Sequence, residues 1–176
     1  MMRVKQQAHT MGKRGFTLVE LLVYISIMTL ALVSIVVLLT SATRIMNRVK
    51  EVKEVRSSAL ISLERMEREI KNATSVVVGE SDLGTTAGSL TLQSADELGN
   101  PLEVSFDLEG GDLLLYYDDV SRGSLFSENV SATELEFYRV DNTLSESVKI
   151  KLTLSHDDAP TKEETYYLTA VLRGSY

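Results

Sequence analysis

The stretch that decides the fold reads Lys13-Arg14-Gly15-Phe16-Thr17-Leu18-Val19-Glu20-Leu21. It joins a short basic leader to a long apolar run with a single acid at its start. From Leu21 to Thr43 there are 23 residues without a charge, most of them Leu, Val, Ile, Met and Ala. At ~1.5 Å per residue that run makes roughly 30–35 Å of helix, about the thickness of a bilayer's hydrocarbon core. It predicts one membrane span. An ordinary secretory signal has a shorter apolar run, about 7–15 residues, before a small-residue cut site. Thr40-Ser41-Ala42 fits such a site poorly, so ordinary signal peptidase processing is not expected.

Charge is sorted along the chain in the same way. Residues 1–15 carry Arg3, Lys5, Lys13 and Arg14 and no acid, whereas residues 16–43 carry Glu20 alone. Residues 44–73 hold eight bases and five acids, and residues 74–176 hold six bases and nineteen acids. The net charge of −7 is therefore an average over segments of opposite sign. The basic leader predicts an N-in orientation with everything after Thr43 outside the cytoplasm. Arg44, Arg48 and Lys50 on the far side partly oppose that rule. With no cysteine, the chain has no disulfide framework, no thiolate metal site and no cysteine nucleophile.

Glu20 is the costly residue. An isolated carboxylate deep in a membrane costs on the order of 3 kcal/mol on insertion scales, and less near a helix start. Such a group normally has a partner, and the 23 residues after it offer none by type. Either Glu20 snorkels to the surface, or its partner lies on another chain.

Nothing stops the helix at the membrane surface, since no Pro or Gly occurs between Phe16 and Val78. Ile45, Val49, Val52, Ala59, Leu63, Met66, Ile70 and Ala73 recur at helical spacing and predict one apolar stripe. From Thr74 the period changes to two. Strands are expected at 75–79, 90–92, 102–108, 113–117, 134–140, 148–154 and 165–172, separated by turn signals such as Gly110-Gly111-Asp112. Leu102, Val104, Phe106 and Leu108 alternate with Glu103, Ser105, Asp107 and Glu109, giving one buried and one wet face. The fold class is α+β: a long N-terminal helix whose second half covers the apolar face of an antiparallel sheet. The expected divisions are a leader at 1–15, a membrane helix at 16–43, an amphipathic helix at 44–73 and a β-rich domain at 74–176.

The run Gly15-Phe16-Thr17-Leu18-Val19-Glu20 after a basic leader resembles the prepilin signal of type IV pilins and type II secretion pseudopilins. The resemblance covers about 25 residues. It implies a pilin-like fold, cleavage between Gly15 and Phe16 by a membrane prepilin peptidase, and N-methylation of Phe16. It also implies that Glu20 attracts the N-terminal amine of a neighbouring subunit during filament assembly. The implied partners are that peptidase, an inner-membrane assembly platform and other pilins or pseudopilins. The implied location is the cytoplasmic membrane, single-pass with an extracytoplasmic domain, and after assembly a surface or periplasmic filament. Val37 stands where major pilins often carry a helix-breaking proline, and residues 63–76 and 166–173 are similar to J-type minor pseudopilins and W-type minor pilins. A minor subunit is therefore expected, acting structurally and not as an enzyme. The alternative is an uncleaved, signal-anchored, monomeric extracytoplasmic binding module, in which Glu20 is incidental.

Other motifs carry less. The paired acids Asp96-Glu97, Asp118-Asp119 and Asp157-Asp158 lack EF-hand spacing, so no metal site is expected. Tyr116, Tyr117, Tyr138, Tyr166 and Tyr167 could stack on bases, yet the acidic domain around them repels phosphate, and no direct nucleic-acid binding is expected. The histidines are His9, in the leader, and His156, in an acidic turn with no evident partner. No nucleophile elbow, phosphate loop or ligand cluster appears, so no catalytic residue and no cofactor are expected.

Overall fold

The computed structural model describes residues 15–96, 98–142 and 145–173. The basic leader with His9, and Glu97 of one acid pair, lie outside the described residues. Among the described residues one long α-helix, α1 (Leu18–Asn72), is followed by eight strands, with a short 3-10 turn at Val78–Glu80 after the first: β1 (Ser75–Val76), β2 (Leu90–Ala95), β3 (Pro101–Glu109), β4 (Asp112–Tyr117), β5 (Val120–Ser124), β6 (Val130–Asp141), β7 (Glu146–His156) and β8 (Ala159–Val171). The chain divides into two compact units, one ending at Met46 and one beginning at Asn47. The architecture is α+β, a long helix with antiparallel sheets.

In the first unit α1 keeps its side chains outward. The apolar residues from Phe16 to Leu39 are exposed, and the helix is long and apolar enough to cross a membrane. Several of its hydroxyls are turned back onto the helix. Ser26 donates to the Leu22 carbonyl at 2.8 Å and Ser34 to that of Leu30 at 2.9 Å, with Thr40 and Thr43 doing likewise. Each removes a polar group from the apolar surroundings at the cost of sharing a carbonyl already in the helix ladder.

The second unit has a core. Strands β1 to β5 form a meander in chain order, and β6, β7 and β8 form a second antiparallel sheet. The sequence suggested a single sheet; the observed two arise because the chain breaks between Ser124 and Val130 and restarts as a separate ladder. Phe106, Leu113 and Leu115 from the first sheet and Phe137, Ile150, Leu152 and Leu154 from the second are buried with Ala59, Met66 and Ile70 of α1. The buried face of α1 begins at Val55. Ile45, Val49 and Val52, the first members of the predicted stripe, are exposed instead.

Strand β5 was not expected from sequence, because Val-Ser-Arg-Gly-Ser has no alternating apolar face and is exposed throughout. A two-residue turn creates it. Asp118 and Asp119 sit at φ +48° and +62°, the left-handed pair that matches the twist of a tight hairpin. Asp tolerates this region, and the Asp118 carboxylate also accepts the Glu103 amide at 2.9 Å.

Candidate functional site at the N-terminal segment

The described chain starts at Gly15, the residue before the helix entrance. Among the described residues a Cβ placed on Gly15 would meet nothing within 4 Å, so their packing does not demand glycine there. Thr17 then caps the helix: its hydroxyl accepts the Glu20 amide at 3.3 Å, and its carbonyl accepts the Leu21 amide at 3.1 Å. Thr17-Leu18-Val19-Glu20 is the spacing of a capping box, and Glu20 lies in the first turn, where the helix dipole favours an acid.

Glu20 is not without a partner on its own chain, contrary to the sequence expectation. The Tyr24 hydroxyl, one helical turn on, donates to Glu20 Oε1 at 3.3 Å. The Phe16 ring meets the Tyr24 ring edge-on, with centroids 6.0 Å apart and planes at 76°. Gly15, Phe16, Thr17, Glu20 and Tyr24 thus gather at one helix end. The signal for Tyr24 was its i,i+4 spacing, but a neutral hydroxyl is not a counter-ion, and a search for opposite charge passes over it. The cluster presents an exposed aromatic ring, Phe16, and a carboxylate whose side-chain donor among the described residues is a neutral hydroxyl, an arrangement that can still accept a cationic group.

Elsewhere the head uses its ionisable groups to tie elements together. His156 is buried, and its imidazole does have a partner: Nε2 lies 3.0 Å from Glu54 Oε2, across 102 residues of chain. Its Nδ1 accepts the Asp158 amide at 3.1 Å, which leaves the ring proton on Nε2 to be donated to Glu54. That hydrogen bond, with Lys50 also contributing, holds the Glu54 carboxyl below its ordinary value. Further along α1, Tyr117 donates to Glu69 at 2.7 Å, and Arg65 pairs with Glu69 at 3.0 Å. Burial first, then the Glu69 carboxylate, pushes the Tyr117 hydroxyl up.

Of the tyrosines considered as stacking platforms, Tyr167 lies under the Lys149 ammonium, 5.7 Å from its ring centre, and the others face carboxylates. Tyr116 donates to Glu109 at 3.2 Å, Tyr138 to Glu136 and Tyr166 to Glu164 at 2.5 Å. Burial and that Glu164 contact push Tyr166 up to about 12. The acid pairs serve turns: Asp157 accepts the Ser131 hydroxyl at 2.9 Å, and Asp96 accepts the Leu98 and Asn100 amides at 2.9 and 2.8 Å. Among the described residues no group of three or more His, Asp or Glu side chains is placed to hold a metal ion.

Comparison with known proteins converges on the same end of the chain. A family model described as the prokaryotic N-terminal methylation motif matches residues 10–36. No curated protein and no solved structure matches the chain.

Proposed function

We propose that this chain, a member of the type IV pilin and pseudopilin family by its N-terminal methylation motif and apolar helix, is a minor subunit of a pilus or type II secretion-like filament. The observation that carries the reading is the match at residues 10–36, which spans the leader junction, Glu20 and the first half of the apolar helix. On this reading the leader through Gly15 is removed by a prepilin peptidase, and Phe16 becomes an N-methylated terminus. Residues 16–43 anchor the subunit in the membrane, N-in, and then pack into the filament core. Residues 44–73 carry the helix into an extracytoplasmic β domain at 74–176.

The chemistry centres on a new cation. Cutting at Gly15 frees an ammonium on Phe16, and Glu20 is the acid of the first helical turn. The ammonium of one subunit and the Glu20 carboxylate of the next then pair in a medium of low dielectric. Each ion offsets the desolvation of the other, and removing one leaves its partner buried and unpaired. The open space around Gly15 fits a glycine selected by a peptidase and not by the fold. Assembly further draws on the inner-membrane platform and on other subunits.

A second reading, the uncleaved signal-anchored binding module, draws on the capping position and the Tyr24 contact, which give Glu20 local work with no neighbour needed. Glu20→Ala separates the two. On the first reading the variant still inserts, but its recovery in sheared or pulled-down filaments drops by more than about a hundredfold, the scale of a broken buried ion pair at roughly 3–5 kcal/mol. Unchanged recovery would favour the second.

A further inference from the structure

Phe16, Glu20 and Tyr24 are spaced four residues apart, and Tyr24 touches both of the others. Its hydroxyl donates to Glu20 Oε1 at 3.3 Å, and its ring meets that of Phe16 edge-on at 6.0 Å, a favourable aromatic geometry. Shorter hydroxyls nearby behave differently. Ser26 and Ser34 return to backbone carbonyls one turn back, at 2.8 and 2.9 Å. A phenol hydroxyl stands too far from its own backbone to do so. In apolar surroundings it needs an acceptor on another side chain, and Glu20 supplies one.

That contact changes what Glu20 does at the helix entrance. In a capping box the carboxylate three residues beyond the cap reaches back to the amide of the capping residue. Here, among the described residues, half of the box is made. Thr17 Oγ1 accepts the Glu20 amide at 3.3 Å, while the Glu20 carboxylate is bonded to Tyr24 and not to the Thr17 amide. The backbone nitrogen next to that amide belongs to Phe16, and it is the one that cleavage after Gly15 would turn into an ammonium. A carboxylate reaching back to Thr17 would lie beside the cation of its own chain. The two charges would then satisfy each other with no second subunit.

We propose that Tyr24 is a positioning residue, which keeps the Glu20 carboxylate off the amine of its own chain and open to the amine of a neighbour. This rests on the reading of the chain as a processed, assembling subunit. A carboxylate has several acceptor sites, so one bond to a neutral hydroxyl leaves room for an incoming ammonium. A bond to its own ammonium leaves no net charge to attract another. The residue type at position 24 therefore matters in two directions. A base there would neutralise Glu20 permanently, and an apolar residue would free the carboxylate to complete the capping box. Tyrosine holds it without cancelling its charge, and in a medium of low dielectric that single hydrogen bond is strengthened. The ring edge meanwhile fixes the Phe16 side chain, so both groups that pair during assembly are held by one residue.

The test uses the full chain, co-expressed with its peptidase and reconstituted at high dilution in lipid bilayers without the assembly platform. Isotope labels are placed at the phenylalanine nitrogen and at the glutamate side-chain carboxyl carbon. Of the four phenylalanines, Phe16 alone gains an amine on cleavage, while Phe106, Phe126 and Phe137 keep amide nitrogens that resonate elsewhere. Solid-state NMR then reads dipolar contact between that single amine line and a carboxyl carbon, which a paired ammonium and carboxylate bring within about 4 Å. Wild type is expected to show little contact within the chain. Tyr24→Phe keeps the ring and loses the hydroxyl. It is expected to raise the fraction in contact several-fold, the scale of one lost hydrogen bond, and to lower recovery in filaments by a similar factor. Equal contact in the two forms, a wild-type amine already paired within its own chain, or undiminished filament recovery of the variant would each overturn the proposal. If no amine line appears, the chain was not cut, and the reading beneath the proposal falls with it. If the line is present and Tyr24→Phe leaves it unchanged, processing stands and the role of Tyr24 alone is lost.

Discussion

Gly15 and Gly88 are both glycine, for reasons the structure separates. A Cβ on Gly15 would touch nothing, whereas one on Gly88 would come within 3.0 Å of the Asp82 and Leu135 carbonyl oxygens and 3.3 Å of the Phe137 ring. Gly88 is glycine because residues 84–88 lie flat against the edge of β6. Gly15 answers to no neighbour among the described residues. The contrast extends to the regions around them. In the head, large apolar residues such as Phe106, Phe137 and Ile150 are fully buried; in the N-terminal helix, comparable residues from Leu18 to Leu39 are all exposed. The head is explained by its own core, while the N-terminal helix has no such core among the described residues; on the proposed reading it answers to lipid, a processing enzyme and other subunits.

Substitutions can break that contrast at either end. The largest effect is expected from Gly15→Leu, which should leave the melting temperature unchanged yet cut processing by roughly a hundredfold, the discrimination a fitted pocket achieves. Mass spectrometry of chain co-expressed with its peptidase reads the outcome. Gly88→Ala should do the reverse, with normal processing and a head destabilised by about 1–3 kcal/mol through overpacking against β6, measured by denaturant melts.

A pH series sharpens the comparison within the head. His156 holds Glu54 below its ordinary value of 4.5, so the folded carboxyl stays ionised where the unfolded one takes up a proton. The resulting stability is present above 4.5 and is lost as pH falls through the lowered value. Glu54→Gln should flatten that acid limb of the melting curve and leave the neutral plateau little changed in slope. The smallest effect belongs to Tyr24→Phe. It removes one hydroxyl donor to Glu20, about 0.5–1.5 kcal/mol, and should alter filament recovery far less than Glu20→Ala does.

What was legible in the sequence follows the same division. The N-terminal helix carries its pattern locally, in hydropathy and in six consecutive residues, so its existence and the position of its acid were readable. Most strands were readable too, because Leu102–Leu108 and Val148–Leu154 alternate cleanly. Missed features depend on distant or conformational facts. Strand β5 rests on two aspartates in left-handed backbone, which composition presents as an acid pair. The partner of His156 lies 102 residues away on α1. The covering of β6 by residues 84–88 involves a Gly-Thr-Thr-Ala-Gly run with no apolar alternation at all. At the N-terminal segment, Gly15, Phe16 and Glu20 were found by resemblance, and Tyr24 only by geometry.

The central claim is that the N-terminal segment is written for partners outside the chain. Intact-mass measurement on protein extracted from membranes, after co-expression with its own prepilin peptidase, tests it most directly. A chain beginning at Phe16 and carrying one added methyl group is expected. A chain that still retains Gly15 and the residues before it would contradict the account.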